Sequence, residues 1–199
     1  KYAYDYLHYL ADPRKEEATM YVNNTYRQQE VYLSMANRVT VLPFWDINLS
    51  VDYQWNKLNA NLTDFPYPRR NTTLVAAATS LHFDRFKFQA SVLGTFVHEN
   101  VASDTTSAGN KMEFTPTAIA SYKPFKNIDF NLRAFYKRIF RMPTLNDLYY
   151  TFIGNIKLKP EYTNQYNIGF TYQKLFTGTW LQALNVQLDA YYNEVENKI

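Results

Sequence analysis

Three histidines, His8, His82 and His98, are the only side chains here that titrate unperturbed near neutral pH. They stand far apart and make no HxH or HExxH spacing, so they read as surface histidines and not as metal ligands. Glu194 and Glu196 share one face of an expected strand and could pair as acids; hydrated rim charges are the plainer reading. Cysteine is absent, which excludes thiol catalysis and cysteine metal sites. There is no GxSxG and no phosphate loop. The chain is therefore not expected to be an enzyme, and no cofactor or metal is expected. The sequons at Asn23, Asn48, Asn61 and Asn71 read as chance in an Asn-rich chain, and "PYPRR" (66–70) as a solvated basic loop tip.

Residues without chemistry of their own must be serving an architecture. The 199 residues suffice for one sizeable unit, and a single β segment over 1–199 is expected. Aromatics are abundant, with 18 Tyr, 14 Phe and 3 Trp against only 5 Gly, a composition that favours strands. A net charge of +3 is too small to argue for nucleic acid. No run of 18 apolar residues is present, so no transmembrane helix is expected, and the first ten residues do not have the form of a signal peptide.

The dominant pattern has period two. Ile47, Leu49, Val51, Tyr53 and Trp55 alternate with Asp46, Asn48, Ser50, Asp52 and Gln54. Ile128, Phe130, Leu132, Ala134 and Tyr136 alternate with Asp129, Asn131 and Arg133. The same holds at 85–96, 164–174 and 184–193. A helical period would scramble these faces. About eight or nine strands are expected, the first within 1–12 and the second over 29–40.

The polar face carries too many charges and amides for a packed interior. One face wants apolar surroundings and the other wants water. A sandwich with wet outer faces fits that, and so does a transmembrane barrel with a polar lumen. Connection lengths separate the two. Short connections at 41–46, 82–86, 122–127 and 174–180 alternate with long ones at 12–29, 56–71, 98–112 and 140–163. In an up-and-down meander, all the short turns then fall at one end, as in outer-membrane barrels. Aromatics crowd both strand ends, as membrane interfaces favour. The expectation is an all-β antiparallel meander forming part of a transmembrane β-barrel.

The long connection at 140–163 carries the sharpest signal. Phe140, Arg141, Pro143, Thr144, Asp147, Leu148 and Tyr149 match F-R-x-P-T-x-x-D/E-L-Y. Gly154, Asn155, Leu158, Lys159, Pro160 and Glu161 match most of a G-N-P-x-L-K-P-E box, followed by Tyr166 and Gly169 in the next strand. Ile156 stands where that box usually has Pro, and Asn167 where the next strand often has Glu. In these motifs the chain resembles TonB-dependent outer-membrane receptors, most sharply over 118–199.

The resemblance implies part of a receptor that captures a scarce nutrient (an iron chelate, cobalamin, a glycan or similar) at extracellular loops and imports it. It implies the outer membrane of a Gram-negative-type bacterium, lipid on the apolar strand faces, and a TonB complex reached through a part of the protein outside this chain. A plug domain is expected elsewhere, and these residues are expected to be an internal barrel segment. Other readings are a porin-like channel and a secreted glycan-binding β-sandwich. The box is expected mainly to fix strand-to-loop geometry: Pro143 ends a ladder and Pro160 biases Lys159 to extended backbone. Arg141, Asp147, Lys159 and Glu161 could form a charge network, and Tyr149 and Tyr150 could touch ligand. No His lies between Phe140 and Pro160, so nothing there supports haem.

Overall fold

Alternation at period two becomes nine strands hydrogen-bonded in sequence order. The computed structural model describes residues 1–14, 21–102, 107–150, 154–178 and 180–199. The strands are β1 (Tyr2–Ala11), β2 (Val22–Leu42), β3 (Trp45–Ala60), β4 (Arg69–His82), β5 (Phe86–Asn100), β6 (Lys111–Tyr122), β7 (Asp129–Arg141), β8 (Glu161–Leu175) and β9 (Ala183–Glu196). Every neighbouring pair is antiparallel, so the chain is one meander sheet. Short and long connections alternate as expected: two to seven residues at one end, eight to nineteen at the other. The middles of three expected long connections, at 15–20, 103–106 and 151–153, lie outside the described residues, as does residue 179 in the short connection.

Residues opposite one another across the ladders share a face. One row runs Glu30, Asn56, Arg70, Glu99 across β2 to β5. The next residue along gives Val31, Trp55, Asn71, His98 on the other face. Continued over the sheet, this rule sorts Asp46, Asn48 and Asp52 to a polar face and Ile47, Leu49 and Val51 to an apolar one. A sandwich would bury Ile47–Trp55 against Ile128–Tyr136. Instead Leu49, Val51 and Leu132 are exposed on a single sheet, as is Ile128 just before β7, which overturns the sandwich reading.

Two local features shape the wall. Gly169 of β8 lies directly between Arg133 of β7 and Asp189 of β9. A Cβ there would collide with Asp189 Oδ1 and the Leu188 carbonyl oxygen. Its absence lets Arg133 cross β8 and donate to both Asp189 oxygens, at 3.0 and 2.5 Å. The second feature is Pro116. β6 pairs with β7 only from Thr117 to Tyr122, so the ladder stops beside the residue with no N–H to donate. On its other side β6 stays paired to β5 through Pro116 up to Lys111.

The buried hydrophobic cluster is not in the middle of the sheet. It lies at the end of the long connections, on the polar face, and consists of Tyr26, Leu58, Phe65, Leu145, Leu148 and Tyr149.

Candidate functional site: the cap on the polar face

One short helix, α1 (Leu145–Tyr149), organises this cap. Thr144 accepts from the Asp147 backbone N–H at 3.2 Å, and the Asp147 carboxylate accepts from the Thr144 N–H at 2.8 Å. This reciprocal capping box satisfies two donors that the first turn leaves free. The spacing T-x-x-D is the sequence signature of such a helix start. Leu145 and Leu148 point the helix's apolar side at Leu58 and Phe65. Leu58 shares the face of Asn56 and extends β3 beyond the alternating segment.

The chain after α1 folds back on it. The Gly154 N–H donates to the Tyr150 carbonyl at 2.7 Å, and the Asn155 N–H to the Asp147 carbonyl at 2.8 Å. A Cβ on Gly154 would sit 2.6 Å from the Tyr150 carbonyl oxygen, so the close approach requires glycine. Asn155 accepts from the Lys157 N–H through its side chain, and Leu158 packs against the cluster. Pro160 is buried just before β8, while Lys159 stays exposed. These matched box residues therefore sit in one folded connection that returns to the sheet.

A buried ion pair fastens that connection to the wall. Arg70 donates through Nε and Nη2 to Glu99 Oε2 at 2.8 and 2.6 Å. Its Nη1 donates to the Pro143 carbonyl at 2.6 Å. The Tyr149 hydroxyl donates to Glu99 Oε1, and the Ala108 N–H donates to the same oxygen at 3.3 Å. The Glu99 side chain has no exposed surface, yet both its oxygens are satisfied. A buried pair of this kind is tolerable because its remaining lone pairs and protons find partners. Burial first, and then the Glu99 carboxylate, push the Tyr149 phenol above its usual range, so it stays a neutral donor.

The expected network of Arg141, Asp147, Lys159 and Glu161 does not form: no two of the four make an ion pair among the described residues. Asp147 caps α1, and Glu161 accepts from the Ile199 N–H at 3.1 Å. The charges that do meet are Arg70 and Glu99, which sequence reasoning missed. "PYPRR" is thus no solvated loop tip, since Pro68 and Arg70 are buried. A signal existed in the parity of Arg70 and Glu99, but it needs the register of β4 and β5.

Tyr149 is 6% exposed, and its hydroxyl faces Glu99. Tyr150 is half-buried, with its ring 4.4 Å from that of Tyr26. Below α1, a hollow of about 440 Å³ opens on the polar face. Gln28, Glu30, Gln54, Asn56 and Thr72 line it together with the apolar Leu74, Leu93, Val97 and Phe140, and Met142 and Thr144 border it from the connection.

Residues 2–199 match the model of the TonB-dependent receptor-like β-barrel. This chain belongs to that family. Receptors with such barrels reside in the outer membrane of Gram-negative bacteria. Two solved structures share the fold of this family member. One is a double mutant of the Serratia marcescens hemophore receptor HasR, in complex with its hemophore HasA and heme, with a TM-score of 0.62 and 13% identity over 88% of this chain. The other is the copper transporter OprC, with a TM-score of 0.66 and 16% identity over 98% of this chain. The chain spans 34% and 35% of their respective lengths. Comparison with curated proteins gives no match.

Proposed function

We propose that these residues form part of a TonB-dependent outer-membrane receptor that captures a scarce nutrient at its extracellular side and imports it. The observation that carries this reading is the cap. The described residues of a nineteen-residue connection are folded onto the polar face and tied there by Arg70, Glu99 and Tyr149. A channel for free diffusion has less need of so fixed a structure over its lumen. On this reading the polar face is the lumen and the apolar face meets lipid. The long connections are extracellular, and energy arrives from the TonB complex through a part of the protein outside this chain.

Arg141, Pro143, Thr144, Asp147, Leu148, Asn155, Leu158, Lys159, Pro160 and Glu161 then serve to shape the cap. Tyr149 holds it to the wall, and Tyr150 at the rim is the tyrosine left to meet ligand. The hollow beneath α1 offers amides, hydroxyls and a carboxylate beside apolar side chains to a cargo leaving the loops. A HasR structure holds heme with its hemophore, and OprC is a copper transporter. The nutrient class here stays general: an iron chelate, a metal complex, cobalamin or a glycan.

The test is uptake by cells whose only copy of the receptor is the full-length protein. Candidate nutrients are supplied singly, with and without functional TonB. Import of one nutrient that disappears without TonB supports the reading. TonB-independent passage of many small hydrophilic solutes through the reconstituted protein sinks it and favours a porin-like channel.

A further inference from the structure

Charge is sorted between the two faces of β1 to β6 in a way that the cap does not explain. Asp5, Glu30, Asp46, Asp52, Glu99 and Glu113 are the acids of these strands, and the ladders put all six on the polar face. The apolar face carries no acid there, but it carries cations at the end of the long connections. Lys57 of β3 and Arg69 of β4 lie directly opposite each other. Arg27 follows one row further out, opposite Tyr6 of β1 and Asn59 of β3. Directly opposed like charges destabilise a sheet pair. None of the three forms an ion pair among the described residues.

Their depth is informative. Arg69 lies twelve residues up β4 from Leu81, beside the short-turn end. At a rise of about 3.3 Å per residue and a tilt of about 40°, that is roughly 30 Å along the barrel axis. The apolar band of such barrels is about 25 Å tall. The cations therefore fall just past its edge, at headgroup level. Trp55 lies one row closer to the band, and Tyr53 and Phe96 the row after that. Aromatics favour that boundary. Tyr4 and Tyr6 flank the cations from β1. The patch is continuous with the apolar face, which points to a lipid and not a protein as its occupant.

We propose, resting on the membrane reading above, that Arg27, Lys57 and Arg69 form an outward-facing seat for phosphorylated headgroups of outer-leaflet lipids. A phosphate between Lys57 and Arg69 turns their repulsion into shared attraction. Arginine matches phosphate oxygens bidentately, and Arg27 supplies the next contact along the strand direction.

The test uses the full-length receptor in detergent, titrated with bis-phosphorylated lipid A and with its dephosphorylated form carrying the same acyl chains. Retained lipid is counted by native mass spectrometry. The wild type should prefer the phosphorylated lipid. The triple variant Arg27→Gln, Lys57→Gln, Arg69→Gln should lose that preference by on the order of 100-fold, from the usual worth of three cations near an anionic surface. The charge-keeping exchange Lys57→Arg with Arg69→Lys should retain it, as should Lys87→Gln with Lys111→Gln on the polar face. Equal retention of both lipids by the wild type, or an unchanged preference in the triple variant, overturns the seat. So does competition by inorganic phosphate that matches the lipid's own affinity. Quenching by brominated lipids, read as the part of the signal that Trp55→Phe removes, reports on the membrane separately. Quenched Trp55 with no lipid preference rejects the seat alone; unquenched Trp55 rejects the membrane reading and the seat together.

Discussion

Leu49 and Leu58 stand on the same strand, yet one is 53% exposed and the other has no exposed surface. Leu49 belongs to the wall, whose apolar face no described part of the chain covers. Leu58 belongs to the cap, which is covered by α1 and Phe65 from its own chain. The wall is held together by ladders and completed by its surroundings. The cap is held by side-chain packing and a buried ion pair, and it needs no bilayer. Two kinds of stability thus sit on one sheet, and substitutions should separate them.

The largest expected effect is in the cap. Glu99→Ala leaves Arg70 buried without its partner, at a cost of about 3–5 kcal/mol. Limited proteolysis should then cut within 142–160, while the strands remain protected. Equal protection in variant and wild type would mean that the ion pair does not fasten the connection. In the wall, Leu49→Arg puts a charge on the face proposed to meet lipid, at about 2–4 kcal/mol near the bilayer midplane. That loss should be read as reduced folding efficiency into liposomes, with cap proteolysis unchanged. A smaller effect is expected from Thr144→Ala, which removes the acceptor of the capping box and costs about 1 kcal/mol. Thr144→Ser should restore it.

The fourth prediction concerns alkaline pH. The Tyr149 phenol is raised in the folded cap, so its contribution is fully present below the ordinary tyrosine value of about 10. Above that value the unfolded chain's phenol ionises while the folded one stays neutral. The contribution therefore fades as pH rises towards the folded value. Protection of 142–160 should weaken above about pH 10, and Tyr149→Phe should flatten that dependence. The wall's resistance to proteases should not follow Tyr149.

The same division decides what the sequence showed. Faces such as Ile47–Trp55 were legible because a strand with one apolar and one polar face must alternate. β2 was expected over 29–40 but runs from Val22 to Leu42. Its first third, "VNNTYRQ", stands beyond the apolar band on the membrane reading proposed above, and there neither side needs to be apolar. The cap was only partly legible. Its motif residues could be matched, and its T-x-x-D box could have announced a helix. Arg70 and Glu99 could not be paired, because 29 residues separate them and only the β4–β5 register brings them face to face.

Gly169 carries a consequence for assembly. A strand slipped by one residue against its neighbour turns its whole side-chain set to the wrong face, and hydrogen-bond ladders alone do not forbid such slips. Arg133 reaches Asp189 only when the one residue without a side chain stands between them. Shifting β8 by one residue would interpose Ile168 or Phe170, and shifting by two would interpose Asn167 or Thr171. The glycine and the ion pair it permits work as a three-strand key that fits in a single register, checking the order of β7, β8 and β9 as the barrel closes.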